Sequence, residues 1–282
     1  MGENSKISWT HHTFNPWWVC TQVSPGCDHC YAMELAHRLG YDWNQNAPRL
    51  FFGEKHWREP LRWNQRAQSQ GERERVFCGS MCDILDTWQG EIIYSGAPPA
   101  QERARKWWGT GWPQAWGARP VNLNLARELL WELIDATYWL DWLLLTKRPQ
   151  DYRKMLPRRW LKNPRPNVWI MTTVESREYL WRLDAIAAIP AVVHGVSWEP
   201  ALGYINFIPY AQRMPSLWVI GGGESCAGCR PFDPNWARLV REDLAPTHTP
   251  FFLKQLGGHP DKQDKPARWP PDLRVQQFPV VS

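Results

Sequence analysis

The sequence predicts an α/β protein built as a partial (β/α) barrel of about six repeats. Three observations predict it. From residue 75 onward, short apolar and β-branched runs alternate with stretches of helical periodicity, which implies a parallel sheet with right-handed crossovers. About six such repeats can be counted, too few for a closed eightfold barrel. Polar and titratable residues gather just after the runs, at the strand ends where parallel sheets keep their sites.

The elements follow in order. Ala32 to Leu39 reads as a short helix, with Leu35, Ala36 and Leu39 on one face and Gly40 as its stop. Arg75 to Ser80 reads as a strand. Leu123 to Leu140 has the clearest helical spacing, through Leu125, Leu129, Leu133, Ala136 and Leu140. Trp142 to Thr146 is a buried strand, followed by a helix near Gln150–Met155. Val168 to Thr173 is a strand, Arg177 to Ile189 a helix, and Ala191 to Ser197 and Leu217 to Ile220 are strands. Asp233-Pro234 opens a helix to Leu244, with an acidic cap and proline at the first turn. Pro250 to Lys254 is the last strand. Residues 1–260 read as one barrel-like domain and 261–282 as an irregular basic tail.

Ahead of the repeats, Asn15 to Tyr31 reads NPWWVCTQVSPGCDHCY and spaces Cys20, Cys27 and Cys30 as C-x6-C-x2-C. Thiolates select iron–sulfur clusters or zinc over hard cations. Ser24-Pro25-Gly26 is a turn sequence that folds the loop back. Three thiols are one short of the four that close a structural site. The helix after Cys30 points its positive end at this loop, which favours an anionic centre. The rival reading is structural zinc with a histidine as fourth ligand, from His11, His12, His29 or His37. Zinc ribbons carry a second close pair some 15–20 residues on, and no further cysteine occurs before Cys78. An odd total of seven cysteines disfavours a disulfide framework.

Further candidates lie at the strand ends: Ser80, Asp83, Glu175, Glu199 and Glu224 as acceptors, Lys254 as a cation, and Gly222 and Gly223 for close backbone approach to a ligand. Each glutamate has a plainer reading as a salt bridge on the rim, with Lys147, Arg148 or Lys254. Cys78, Cys82, Cys226 and Cys229 offer a second metal site on ligand type. The plainer reading of a free cysteine is a small buried residue.

Ile7-Ser8-Trp9-Thr10, Asn15-Pro16 and the cysteine spacing resemble a phage-associated family with a three-cysteine motif, placed in the radical S-adenosylmethionine (SAM) superfamily. Gly79-Ser80-Met81, Leu145-Thr146-Lys147-Arg148-Pro149, Ser197-Trp198-Glu199-Pro200, Gly222-Gly223-Glu224-Ser225 and Phe252-Leu253-Lys254-Gln255 extend the resemblance in order along the chain. The resemblance implies a radical SAM barrel with a [4Fe–4S] cluster on Cys20, Cys27 and Cys30. It also implies S-adenosyl-L-methionine as cofactor, an external electron donor, and a 5′-deoxyadenosyl radical that abstracts hydrogen from a substrate. Two departures stand out: the superfamily's commonest spacing is C-x3-C-x2-C, and His29 occupies a position that is often aromatic.

Two segments fall outside the repeats, about 44–74 and 91–120. Both interleave tryptophan with arginine and lysine, a pattern that suits base stacking and phosphate contact. The plainer reading is packing, since tryptophan is usually buried. Twenty-one tryptophans in 282 residues are unusual, and the net charge of +5 permits a polyanionic partner, a nucleic acid or nucleotide, without demanding one. No apolar run is long enough to span a membrane, so a cytoplasmic protein is expected. The alternative function is a non-catalytic zinc- or Fe–S-bearing nucleic-acid-binding protein, and a third is a redox sensor.

Overall fold

The computed structural model describes residues 2–90, 92–94, 122–226, 228–258 and 262–281. Most of the 91–120 segment, with Trp107, Trp108, Trp112 and Trp116, lies outside the described residues. Ten strands occur among those described: β1 (His12–Phe14), β2 (Trp17–Trp18), β3 (Arg49–Phe51), β4 (Glu74–Cys78), β5 (Ile92–Tyr94), β6 (Leu140–Thr146), β7 (Val168–Thr173), β8 (Val193–Trp198), β9 (Leu217–Gly222) and β10 (Phe251–Gln255). Seven form a sheet in the order β1-β4-β6-β7-β8-β9-β10. Every neighbouring pair in it is parallel. Strand order follows chain order, so the sheet curls one way into a half-barrel. β2, β3 and β5 form a small second sheet beside it.

The count of seven corrects the expected six. β1 is three residues long and carries no β-branched run; pairing with β4 through His12–Val76 and Phe14–Cys78 makes it a strand. The helix expected to reach Leu140 ends at Ala136. The Thr137 hydroxyl donates back to the Leu133 carbonyl, the Trp139 N–H is taken by Asn64, and Leu140 already pairs with Glu74. The 44–74 segment holds a helix, Glu59–Gln70, with Pro60 in its first turn and Gly71 closing it at φ 70°. It buries Pro60, Trp63 and Ala67. Trp57 and Trp63 are thus core residues, on the packing side of the two readings.

Side chains alternate across a strand, and here both faces are apolar. Val76, Cys78, Trp142, Leu144, Ile170, Val219 and Leu253 face outward to the helices. Phe77, Leu143, Trp169, Met171, Trp218, Ile220 and Phe252 face the concave interior. The floor of the half-barrel is an aromatic plug. Trp218 lies edge-on to Trp9, Trp169 and Phe252 with centroids 6.3, 5.7 and 6.2 Å away, and Phe278 of the tail closes on it at 5.6 Å.

Residues 262–281 pack onto the free edge of β10. Gln277 N–H donates to Phe251 O at 3.0 Å, Leu253 N–H donates to Val275 O at 2.8 Å, and Trp269 and Leu273 are buried. The tail is irregular, and it covers a sheet edge that would otherwise be open. Among the described residues no helix is long and apolar enough to cross a membrane.

Candidate metal-binding mouth of the half-barrel

The inward series of each strand continues past its C-terminal end. It runs Leu143, Leu145, Lys147 from β6; Trp169, Met171, Thr173 from β7; Val193, Gly195, Ser197, Glu199 from β8; and Phe252, Lys254 from β10. The polar members of these series, together with Cys20, Cys27 and Cys30, line a half-open cavity of about 150 Å³. Strand alternation therefore explains why an apolar floor gives way to a polar rim.

The cysteine loop is tied down across this mouth by three arginines from distant segments. Arg49, fully buried, donates to the Thr21 hydroxyl at 2.8 Å and pairs with Asp86 at 2.7 Å. Arg148 donates to the Thr21 carbonyl at 2.7 Å and to Asp83 at 2.9 Å. Arg230 donates to the Pro25 carbonyl at 2.8 Å and also binds the Glu224 carboxylate. Val19, just before Cys20, holds φ 76°, an outlier for a β-branched residue. Its N–H donates to Met81 O at 3.0 Å, which fixes the strained turn. A 3-10 turn, Pro25–Cys27, carries the second cysteine. Cys30 caps the helix Tyr31–Arg38, so the helix N-terminus adjoins the loop as expected.

Electrostatics around the thiols favour positive charge beside them. Burial works against the Lys147 ammonium, but Cys27, Cys30 and Glu175 outweigh it and raise its pKa above the ordinary lysine value. Burial pushes the Cys20 thiol well up, Cys30 and Asp83 add to this, and Arg148 opposes it. The Tyr31 hydroxyl, raised chiefly by burial, donates to Ser80 O at 2.8 Å and joins the first helix to β4's end.

The expected acceptors divide by partner. Glu199 lines the cavity and receives Lys254 at 2.5 Å and Gln255 at 2.8 Å. Ser80 also lines it and is bonded to Asn15 at 2.9 Å. Asp83 accepts from Leu85 N, Thr146 Oγ1, Lys147 N and Arg148 Nη1, at 2.6 to 3.0 Å. Glu224 is held by Arg230, through its main-chain N–H at 2.8 Å and its guanidinium. Glu175 is fully buried against Arg182 at 2.8 Å, with its Oε1 left without a hydrogen-bond partner among the described residues. It abuts the loop: a Cβ on Gly26 would stand 3.1 Å from Glu175 Cδ. Gly223 is needed for packing, since a Cβ there would meet Phe232 and Gly257 under 3 Å, and neither it nor Gly222 borders the cavity.

The four remaining cysteines do not assemble into one site. Cys78 ends β4 on the outward face. Cys82 borders the same cavity as the loop thiols. Cys226 lies instead beside His29 and Glu224, and the buried Cys229 sits against Gly258. Of the four nearby histidines, His29 borders the cavity; His12 pairs with Glu74 and His11 bonds Arg75 at the opposite end of β1. The arginine clamps had no signal in the sequence, because their partners lie far along the chain.

Fold and site together define a parallel α/β half-barrel with a three-thiol loop strapped across its C-terminal mouth. Comparison with curated proteins and with solved structures returns no match. The chain belongs to the family described as "Protein of unknown function (DUF5131)", which matches residues 4–92 and 119–274.

Proposed function

We propose that the protein is a radical SAM enzyme, with Cys20, Cys27 and Cys30 holding a [4Fe–4S] cluster and S-adenosyl-L-methionine as its cofactor. The observation that carries the reading is the placement of all three loop thiols on one cavity at the strand ends, beside the Lys147 cation. The donor set fits such a cluster: three soft ligands, with one metal position left for a non-protein ligand. Together the two groups supply one-electron chemistry, ending in a 5′-deoxyadenosyl radical when an external donor provides the electron.

The chain's own residues supply the setting. Lys147 offsets the negative charge of the thiolates. The Glu199–Lys254 pair joins β8 to β10 and offers an acceptor and a donor on the cavity wall. Ser197 and Thr173 add hydroxyls there. Phe77, Trp9 and Leu145 line the deeper apolar part and exclude water. A nucleic acid or nucleotide is proposed as substrate, on the net charge of +5 and the Trp/Arg-rich 91–120 segment. Trp57 and Trp63, being buried, lend it no support.

The rival is a zinc centre completed by His29. Ligand sulfurs around one zinc stand about 3.8 Å apart by tetrahedral geometry. Among the described residues, the one set of three or more ligand atoms mutually within 4.8 Å is His29, Glu224 and Cys226. The loop thiols are not drawn together that tightly, which favours a polynuclear centre. Anaerobic reconstitution with iron and sulfide tests the proposal: a brown protein with about four iron per chain, which forms 5′-deoxyadenosine from SAM on reduction, supports it. A colourless zinc protein that leaves SAM intact overturns it.

A further inference from the structure

His29 sits in the cysteine loop between two of the proposed cluster ligands, yet its imidazole makes no hydrogen bond or ion pair among the described residues. Glu224 follows β9, and Cys226 is two residues on. Their ligand atoms lie within 4.8 Å of one another. The geometry points to a second metal site formed by His29, Glu224 and Cys226, taking a single borderline divalent ion such as Zn²⁺.

One nitrogen, one oxygen and one sulfur donor match the ligand preferences of zinc and cobalt, and exclude the all-oxygen sites that magnesium and calcium prefer. Around one zinc, neighbouring donors stand somewhat under 4 Å apart, so side-chain rotation of about an ångström completes the site. Arg230 does not block it. A carboxylate offers about four lone-pair positions, and Arg230 uses three of them through its main-chain N–H, Nε and Nη2. The guanidinium then holds the carboxylate in place, as partners behind a metal ligand do. Three protein ligands leave a fourth position open. His29 and Glu224 both border the cavity, so an ion held there stands at its rim. It would also join the cysteine loop to the end of β9, a link that Arg230 already makes to Pro25.

The assignment does not rest on the cluster reading, and the test keeps the two apart. The full chain carrying Cys20→Ala, Cys27→Ala and Cys30→Ala is stripped of metal and titrated with Co²⁺ alone. The expected result is one bound equivalent with a thiolate-to-cobalt charge-transfer band. Adding His29→Gln or Cys226→Ser to that chain weakens binding about tenfold or more. No binding, or binding indifferent to both substitutions, overturns the assignment. Should the triple variant not fold, His29→Gln and Cys226→Ser are made in the otherwise unchanged chain. Loss of one Co²⁺ equivalent then supports the site, and retention of every equivalent overturns it.

Discussion

Replacing Arg148 with methionine removes a buried cation while keeping most of its volume. Arg148 reaches Asp83 at 2.9 Å, the Thr21 carbonyl at 2.7 Å and Asp86 at 3.6 Å. Breaking a buried ion pair by deleting one partner costs about 3–5 kcal/mol. Asp86 keeps Arg49, and Asp83 keeps the Leu85 and Lys147 amides and the Thr146 hydroxyl. Those remaining donors place the expected loss near the lower end, about 3 kcal/mol. The half-buried Thr21 carbonyl can turn to water at smaller cost. Urea unfolding followed by tryptophan fluorescence measures the loss, and iron per chain after anaerobic reconstitution measures the loop. Arg148→Lys separates the two effects. A lysine restores the charge beside Asp83, but a single ammonium does not reproduce the fork that also grips Thr21. Stability should return further than iron loading. A loss under about 1 kcal/mol for Arg148→Met, or full recovery of both readouts by lysine, refutes the clamp.

Two other outcomes are expected. Gly26→Ala drives a Cβ to 3.1–3.3 Å from the Glu175 side chain, which Arg182 pins and which cannot yield; stability should fall by about 1–3 kcal/mol and iron loading with it, and unchanged loading would show that the loop does not rest on Glu175. Burial lowers the pKa of His12 and His194 below the ordinary 6.5, so the unfolded chain protonates first and stability, complete above 6.5, drains away as pH falls through that value toward the folded pKa values. The urea midpoint should therefore be lower at about pH 5.5 than at about pH 7.5, and a midpoint that holds or rises contradicts the assignment of these histidines as buried and neutral.

The βα alternation was legible because strands covered on both faces read as apolar runs whatever follows them. β1 was not, since a three-residue strand has no periodicity and exists through its partner. The helix Glu59–Gln70 did leave a trace: Pro60, Trp63 and Ala67 recur at helical spacing, but the basic and amide residues between them pointed toward a binding segment. The thiol loop was legible because a short spacing carries ligand geometry locally. What holds it was not, because Arg148 and Arg230 meet it across 127 and 205 residues. Cys78 and Cys82 share strand parity; what separates them is that Cys82 lies beyond the end of β4, where the chain has left the strand and borders the cavity. The salt-bridge reading of Glu175 and Glu224 described their partnership with arginine, though the arginines themselves, Arg182 and Arg230, were not anticipated.

The aromatic plug under the sheet makes the mouth a blind vessel. Among the described residues the ring stack stops an occupant from passing through the floor, and the thiols stand on the wall above it. A bulky polymer could offer no more than a protruding end or an everted unit to such a dead-ended shaft, so the outer lip, not the bottom, has to sort one visitor from another.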